Sequence, residues 1–197
     1  MTSDIRHPTS DIILASASPR RLDLLAQIGV AVARVDPADL DETPLPRELP
    51  RAHALRLAAA KARCVALRHQ DAFVLAADTV VACGRRLLPK AGDAETAHHC
   101  LTLLSGRRHQ VWGGVALMTP GGELITRLVL TRVAFKRLEP REIARYLESG
   151  EWSGKAGGYA IQGRAARFVR ELIGSYSNVV GLPLFETAML LEGRGAL

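Results

Sequence analysis

The sequence predicts an α/β fold in which helices flank an elongated, mixed β-sheet. Segments with apolar residues at helical spacing alternate along the chain with short runs rich in β-branched residues, which is the pattern of a sheet covered by helices. The run FVLAADTVVACG, residues 73–84, is almost continuously apolar, as expected of a strand that is buried on both faces. A turn signal at residues 119–122, TPGG, lies between two long strand-like runs and indicates an antiparallel hairpin. Parallel and antiparallel strands should therefore share one sheet.

A short strand followed by a helix opens the predicted fold. The segment ILASASPRRLDLL starts with apolar residues, and Ser18 and Pro19 suit the N-cap and the first turn of a helix. Leu22, Leu25 and Ala26 recur at helical spacing, so we expect them to form the buried face of this helix.

A loop and a second helix lead into the buried strand. Residues 30–35, VAVARV, predict a strand, and residues 36–50 are acidic and interrupted by prolines, which predicts a loop. Apolar residues then recur at helical spacing over residues 55–66, and Lys61 lies off the centre of that stripe. A second helix should therefore precede the strand at residues 73–84.

The second half of the chain continues the alternation of helices and strands. Asp93 suits the N-cap of a helix, and residues 149–163 form a glycine-rich loop. The predicted helices are 93–104, 140–147 and 183–191, and the predicted strands are 109–118, 123–135 and 166–172.

The composition is that of a folded, basic protein. Hydrophobic residues make up 48% of the 197 residues, which is enough for a sizeable core and excludes a disordered chain. Lys and Arg exceed Asp and Glu by 26 to 20, and the net charge of +6 favours a polyanionic partner such as a nucleotide, a nucleic acid or a membrane surface. The basic residues are dispersed and aromatic residues make up only 5%, which disfavours single-stranded nucleic acid.

The cysteines and the termini bear on the compartment. Cys64, Cys83 and Cys100 are odd in number and far apart, which indicates neither a disulfide framework nor a zinc-ligand spacing. No apolar run approaches the roughly 18 residues that span a bilayer, and residues 1–11 lack the apolar core of a signal peptide. We expect a cytoplasmic protein with a flexible tail at residues 1–11 and a single domain at residues 12–197.

Arg20 and Arg21 stand at the start of the first predicted helix. The free N–H groups and the positive dipole end of a helix N-terminus favour an anion, and two guanidinium groups beside them would make a phosphate site. A solvated helix face explains the two arginines equally well, so this segment alone leaves both interpretations open.

Asp78 interrupts the buried strand at 73–84. A carboxylate at the end of such a strand must be paired or have a chemical role, as a general base or a metal ligand, unless it caps the following turn. Asp39, Asp41 and Glu42 in the acidic loop offer further oxygen ligands. Since Mg²⁺ in phosphate sites usually needs only one or two carboxylates, Asp78 with Glu42 would be enough.

Lysine is scarce in this chain, which singles out Lys61, Lys90 and Lys155. Lys90 follows the buried strand and could return over the same end of the sheet as Asp78. The carboxamide of Gln162 both donates and accepts hydrogen bonds, so it could read the edge of a nucleobase. Taken singly, each of these residues is also explained as solvated polar surface.

Four stretches match a known family in order and spacing. They are LASASPRR (14–21), LAAAKA with AADT (57–62 and 76–79), LSGRRHQV (104–111), and KAGGYAIQG with GSYSNVVGLPL (155–163 and 174–184). Together they resemble the Maf family of nucleoside triphosphate pyrophosphatases, over a region from Ile12 to about Leu191. The YAIQG stretch resembles the branch that acts on dTTP and UTP, whereas the 7-methyl-GTP branch typically lacks this glutamine.

The resemblance implies a fold like that of inosine triphosphatase, with two lobes and a cleft between them. It implies a hydrolase that cuts between the α and β phosphates with a divalent cation, Mg²⁺ or Mn²⁺. Asp78 would accept a proton from the attacking water, Glu42 and Lys61 match positions that the family uses for activity, and Asp78 and Glu42 would hold the cation. The implied substrate-binding residues are Ser18, Arg20, Arg21, Thr79, Lys90 and Gln162.

Two other functions remain compatible with the sequence. The first is a pyrophosphatase of the same family that prefers 7-methyl-GTP or a modified nucleotide. The second is a non-enzymatic protein that binds nucleic acid or a cell-division partner, but Asp78, the paired arginines and the scarce lysines would then have no purpose. With a nucleoside triphosphate as the main partner we expect no specific nucleic acid and no membrane, and the sequence leaves a homodimer open.

Overall fold

Within residues 11–197, which a computed structural model describes, seven strands join into one sheet. Residues 1–10, which carry most of the predicted tail, lie outside the described residues. The strands are β1 (Ile12–Leu14), β2 (Arg34–Val35), β3 (Phe73–Cys83), β4 (Arg86–Leu88), β5 (Arg108–Met118), β6 (Leu124–Phe135) and β7 (Val169–Ile173). The helices are α1 (Pro19–Gln27), α2 (Pro50–Ala66), α3 (Ala94–Leu104), α4 (Pro140–Glu148), α5 (Tyr176–Val180) and α6 (Leu184–Glu192), and a 3₁₀ helix covers Arg164–Phe168.

Parallel and antiparallel pairs share this sheet, as predicted. The strand order is β2-β1-β3-β5-β6-β7, and β4 pairs with β3 beyond the end of β1. β1 runs parallel to both β2 and β3, whereas β3, β5, β6 and β7 are antiparallel neighbours. The predicted hairpin is formed by β5 and β6. The mixed sheet flanked by helices is therefore confirmed.

A gap in the pairing of β3 leaves room for a site. β1 pairs with β3 only as far as Leu14 and Leu75, and β4 pairs with it only from Val81 to Cys83. Along that edge, residues 76–80 of β3 have no partner strand within the described part of the chain. The chain leaves β1 through its serine-rich turn and enters α1 beside this gap, so side chains from the turn, from α1 and from β3 can meet there.

Both faces of β3 are covered, as its apolar sequence predicts. On one face Phe73 and Leu75 join a large core cluster that includes residues of α1, α3, α4 and α6. On the other face Val74 and Ala76 belong to a smaller cluster with apolar residues of α2. Because side chains alternate along a strand, Asp78 points to the α2 side.

The buried face of α1 differs from the predicted one. Leu24 and Leu25 are buried, whereas Leu22 and Ala26 are exposed. The third buried residue of the helix is Arg21. The helix is therefore rotated relative to the prediction, and this rotation carries a guanidinium group into the protein.

Some predicted boundaries are also wrong. β2 covers only the last two of residues 30–35, because the Val30 amide donates to the Leu25 carbonyl and so continues the end of α1. Of the predicted strand at 166–172, only the part from Val169 onward is strand, since a 3₁₀ helix precedes it. β4 and α5 are missing from the prediction because three and five residues are too few to show a periodic pattern.

The cysteines and helices add two observations. Cys64, Cys83 and Cys100 are free thiols, and Cys100 is buried. None of the helices described within residues 11–197 is both long and apolar enough to cross a membrane. The division into a tail at 1–11 and one domain at 12–197 stays a prediction.

Candidate active site

A cleft of about 470 Å³ lies at the gap along β3, and this volume is typical of small-molecule sites. Its walls come from the turn after β1, the start of α1, α2, β3, the glycine-rich loop and the acidic loop, the name used from here on for residues 36–49. The nine residues that the family resemblance assigns to the site all line this cleft: Ser18, Arg20, Arg21, Glu42, Lys61, Asp78, Thr79, Lys90 and Gln162. Their individual roles stay predictions. Asp39 and Asp41, which the sequence offered as further ligands, do not line it.

Asp78 lies in the middle of β3 rather than at its end, and it is paired rather than capping a turn. Only 3% of the residue is exposed, and its Oδ1 accepts a hydrogen bond of 2.7 Å from Lys61 Nζ. Lys61 is itself 6% exposed, so a buried carboxylate and a buried ammonium satisfy each other. Asp78 Oδ2 has no hydrogen-bond donor among residues 11–197, so it is the oxygen left for a water or a ligand.

Glu42 connects two lysines. Its Oε1 lies 2.6 Å from Lys61 Nζ, and its Oε2 accepts a hydrogen bond from Lys90. Burial raises the pKa of Glu42, but the hydrogen bonds from the two ammonium groups outweigh that effect and lower the pKa to about 2. Glu42 is therefore ionised at neutral pH, and alternating charges run from Asp78 through Lys61 and Glu42 to Lys90.

Arg21 is built into the wall of the cleft by side-chain hydrogen bonds. Of the five N–H donors of its guanidinium, Nε donates to the Gly181 carbonyl at 2.8 Å, Nη1 to Ser16 Oγ at 2.8 Å and Nη2 to Thr79 Oγ1 at 3.3 Å. Burial lowers the pKa of Arg21, and the nearby charge of Asp78 opposes this shift only in part. Two N–H groups remain for a ligand.

Arg20 has fewer partners than Arg21. Its Nε is buried and has no hydrogen-bond partner among the described residues, and burial lowers its pKa. Nor does either arginine form an ion pair with a carboxylate in this part of the chain. Two guanidinium groups that are partly or fully buried without a counter-ion are the arrangement expected where an anion binds.

Lys155 adds a third cation to this wall. It lines the cleft, and its pKa is lowered first by burial and then by the charge of Arg20. Glu151 opposes the shift without cancelling it. Arg20, Arg21 and Lys155 thus bring three basic side chains to the cleft.

The serine-rich turn is organised around Ser16. Ser16 Oγ accepts hydrogen bonds from Arg21 Nη1 at 2.8 Å and from the Ser18 amide at 3.2 Å. Ser18 is the N-cap of α1, as predicted, but its hydroxyl makes no capping hydrogen bond. The Ser18 hydroxyl is therefore left for a ligand.

Gln162 is exposed at the cleft and makes no side-chain hydrogen bond within residues 11–197. The loop that carries it is well fixed: backbone hydrogen bonds of 2.8 to 3.0 Å join residues 89–91 to residues 154–157. Lys90 forms a β-bridge with Ala156 within this contact. The loops that carry Gln162 and Lys90 therefore hold each other in place.

Tyr159 lines the cleft and rests on His109. The Tyr159 hydroxyl lies 2.8 Å from His109 Nε2, and Phe135 packs edge-on against both rings. His109 is 1% exposed, and burial lowers its pKa to about 4, so the imidazole is neutral. His109 of the LSGRRHQV stretch thus holds Tyr159 of the YAIQG stretch in place.

Four residues of the site were not singled out from the sequence as binding or catalytic. Ser16 and Tyr159 lie within quoted motifs beside residues that were singled out, and Lys155 stood out only by the scarcity of lysine. Gly181 acts through its backbone carbonyl, which no side-chain pattern reveals.

Asp78 and Glu42 could hold a divalent cation. Both carboxylates contact the same Lys61 nitrogen, so a positive charge already lies between them. No group of three or more His, Cys, Asp or Glu side chains suited to a metal occurs within residues 11–197. Because Mg²⁺ at phosphates commonly uses one or two carboxylates plus substrate oxygens, this pair of residues fits it.

Comparison with known proteins decides the family. The model of the Maf-like protein family matches residues 11–194. The chain belongs to the Maf family. Residues 14–184, which contain the four stretches quoted above, fall within that match.

Several curated Maf relatives are highly similar to the chain. A dTTP/UTP pyrophosphatase of Paramagnetospirillum magneticum is 66% identical, over 93% of this chain and 97% of the relative. Proteins of the same name from Rhodospirillum rubrum and Caulobacter vibrioides are 67% and 62% identical, again over 93% of this chain and over 88% and 95% of their own lengths. Among solved structures, a nucleoside-triphosphatase / dITP/XTP pyrophosphatase of Mycobacterium abscessus is 22% identical with a TM-score of 0.41, over 65% of this chain and 74% of that one.

Proposed function

We propose that this chain hydrolyses dTTP and UTP between the α and β phosphates and releases the nucleoside monophosphate and pyrophosphate. One observation carries the proposal: two arginines that pair with no carboxylate among residues 11–197 share a cleft with a buried carboxylate that still has an oxygen to offer. The names of the Maf relatives support the reaction and the pyrimidine substrates.

The cations of the cleft are proposed to bind the triphosphate. Arg20 and Arg21 offer unpaired N–H donors, which suit phosphate oxygens, and Lys90 offers a half-exposed ammonium. Phosphoanhydride hydrolysis needs charge neutralisation and a positioned water, with little covalent help from the protein.

Asp78 is proposed to be the general base. Lys61 holds Oδ1, so Oδ2 can accept a proton from a water that attacks the α phosphorus. The new bond joins the water oxygen to that phosphorus, the bond to the oxygen bridging the α and β phosphates breaks, and pyrophosphate leaves. Thr79, whose hydroxyl lies between Arg21 and Gly181, shapes the wall beside this carboxylate.

Asp78 and Glu42 are proposed to hold Mg²⁺ or Mn²⁺ together with phosphate oxygens. When bound, such a cation neutralises charge on the phosphates. Lys61, which contacts one oxygen of each carboxylate, would orient them for that cation.

Gln162 is proposed to read the pyrimidine, since its amide can both donate to and accept from a base edge. A substrate panel tests this directly: pyrophosphate release from dTTP, UTP, CTP, GTP, ITP and 7-methyl-GTP, with and without Mg²⁺ or Mn²⁺. We expect dTTP and UTP to be hydrolysed with the highest kcat/KM. A preference for 7-methyl-GTP would replace the proposed substrate, and no pyrophosphate release from any nucleotide would refute the proposed enzyme.

The Asp78→Asn variant tests the mechanism. We expect it to remain folded and to lose at least about a hundredfold in turnover, because a positioned base contributes that much. Asp71→Asn is the matched control, since Asp71 is an exposed carboxylate just before the same strand. Turnover of Asp78→Asn within about tenfold of the parent would remove Asp78 from the base role.

The remaining proposals concern the cellular compartment, the binding partners and the oligomeric state. We propose that the enzyme acts in the cytoplasm on free nucleotides, without specific nucleic acid or membrane partners. A homodimer stays a prediction, and light scattering during gel filtration measures it.

A further inference from the structure

The acidic loop brings Glu42 to the cleft with little packing against the core. Every residue of 36–49 keeps part of its surface exposed, and no helix or strand forms between Val35 and Pro50. Ala38 packs against the smaller core cluster, but it is four residues from Glu42 and only partly buried, so apolar packing holds Glu42 only weakly. Charged contacts between the loop and α2 take over that task.

Glu48 is the centre of the contact at the C-terminal end of the loop. Its side chain is only 7% exposed, and its carboxylate accepts hydrogen bonds from Arg56 Nε at 2.6 Å and Arg56 Nη2 at 2.8 Å. His53 Nδ1 lies 2.8 Å from Glu48 Oε2, and the Leu45 amide donates a hydrogen bond to the same oxygen at 2.9 Å. The hydrogen bonds from Arg56 are the main reason why the pKa of Glu48 falls to about 2. The pair is therefore fully charged at neutral pH.

Arg56 also reaches the residue next to Glu42. Its Nη2 donates to the Thr43 carbonyl at 3.1 Å, and the Thr43 amide donates to Asp41 Oδ1 at 2.9 Å. One guanidinium on α2 thus fixes both Glu48 and the backbone that follows Glu42.

The turn before Glu48 is strained. Arg47 has a φ of 61°, a left-handed conformation that is unfavourable for a residue with a Cβ. Arg47 lies in the turn across which the Leu45 amide donates its hydrogen bond to the Glu48 carboxylate. A strained turn persists only where other contacts hold it, and here those contacts come from Arg56.

We propose that Arg56 and Glu48 are positioning residues that keep Glu42 in the cleft during turnover, an inference that rests on the proposed role of Glu42. Glu42 is now held by Lys61 and Lys90, but Lys90 is also proposed to bind phosphate. When Lys90 turns to the substrate, Glu42 loses one of its two partners. The contact between Arg56 and Glu48, called the clamp from here on, does not line the cleft, so a bound nucleotide leaves it intact.

The other end of the loop supplies a matched control. Arg68, just beyond α2, holds Asp36 with the same two-pronged geometry, Nε to Oδ2 at 3.0 Å and Nη2 to Oδ1 at 2.8 Å. Its Nη2 also donates to the Pro37 carbonyl at 3.3 Å. Asp36 and Glu48 are each six residues from Glu42, but Arg68 reaches no nearer to it than Pro37, whereas Arg56 also holds Thr43, the residue next to Glu42.

The test compares Arg56→Gln with Arg68→Gln by hydrogen exchange and by kinetics. We expect Arg56→Gln to speed amide exchange in peptides covering residues 41–48 by about tenfold or more, because the clamp holds these amides in the folded loop. It should lower kcat for dTTP by about tenfold, as for residues that orient a ligand-binding group. KM should change by less than about threefold, because Arg56 does not touch the cleft. Arg68→Gln should leave kcat within about twofold of the parent.

Combination with Glu42→Gln separates positioning from general stability. If Arg56 acts through Glu42, then Arg56→Gln lowers kcat no further once Glu42 is replaced. The clamp is overturned if exchange of residues 41–48 stays at the parental rate, if the loss in kcat adds in full to that of Glu42→Gln, or if Arg68→Gln loses as much. Glu48→Gln repeats the test should Arg56→Gln fail to fold. A fully active Glu42→Gln would instead refute the proposed role of Glu42, and the exchange rates would still decide whether the clamp holds the loop.

Discussion

Replacing Lys61 by glutamine should convert the centre of the cleft from a stabilising cluster into a repulsive one. Lys61 Nζ lies 2.7 Å from Asp78 Oδ1 and 2.6 Å from Glu42 Oε1, so its removal leaves two carboxylates facing each other. Breaking a buried ion pair by removing one partner costs about 3–5 kcal/mol. The Asp78 side chain is 4% exposed but that of Glu42 is 35% exposed, so we expect the low end, about 3 kcal/mol.

Urea denaturation followed by tryptophan fluorescence measures this loss. For a chain of this size the same loss lowers Tm by roughly 6–12 °C. Arg63→Gln, at an exposed position on α2, is the control and should change stability by less than about 0.5 kcal/mol. The double variant Lys61→Gln/Asp78→Asn should recover about 2 kcal/mol relative to the sum of the single changes, because the repulsion disappears with one of the charges.

Mg²⁺ extends the same test to the proposed cation site. A cation that binds only the folded variant, at a free concentration of ten times its Kd, raises the free energy of unfolding by about 1.4 kcal/mol. The Lys61→Gln variant should gain more from Mg²⁺ than the parent does, because the ammonium no longer competes for the two carboxylates. A variant as stable as Arg63→Gln, or an equal gain from Mg²⁺ in variant and parent, would refute this account of the cluster.

Three further changes test other parts of the fold. Gly114→Ala would place a Cβ 2.3 Å from the Ala54 carbonyl oxygen of α2, so urea denaturation should show that the free energy of unfolding falls by about 1–3 kcal/mol. Gly92→Ala, whose Cβ would meet open space, is the control and should be nearly neutral. Equal losses in the two variants would contradict the close approach of α2 to the sheet. His109 has a folded pKa of about 4 against about 6.5 when unfolded, so stability should fall by up to about 3 kcal/mol as the pH drops from 6.5 to 4. His109→Gln should flatten that slope, and an unchanged slope would show that another group causes it. Gln162→Glu should lower kcat/KM for dTTP and UTP relative to other nucleotides, because an acceptor-only anion replaces an amide; an unchanged substrate profile would rule out base reading by Gln162.

Much of the fold follows from local signals. The apolar run that became β3 and the turn signal between β5 and β6 predict the centre of the sheet, because burial on both faces and turn chemistry leave clear marks in the sequence. The Asp93 cap of α3 is also confirmed, with its side chain accepting from the Thr96 amide. Local signals fail where an element is too short for periodicity, as in β4 and α5.

The site was less predictable than the fold. Motifs singled out residues from separate segments, but they could not say which side chain would pair with which. Lys61 was placed off the centre of the apolar stripe of α2, whereas the structure buries it because Asp78 lies opposite. The sequence leaves open whether Arg21 is a solvated residue of α1 or a phosphate ligand, and the structure buries it because Ser16 and the Gly181 carbonyl accept its N–H groups. Such pairings depend on tertiary contacts between residues distant in the chain.

The position of α2 links the packing of the sheet to the charges in the cleft. Asp78 of β3 pairs with Gly114 of β5, and the missing side chain of Gly114 lets the Ala54 backbone come close to the sheet. Ala54 and Lys61 are seven residues apart, so they lie on the same face of the helix. The face that packs on Gly114 therefore directs Lys61 toward Asp78. A change that lifts α2 from the sheet by a fraction of an ångström should then weaken the contact between Lys61 and Asp78 before it unfolds the protein, so turnover should be more sensitive than stability to the packing of this helix.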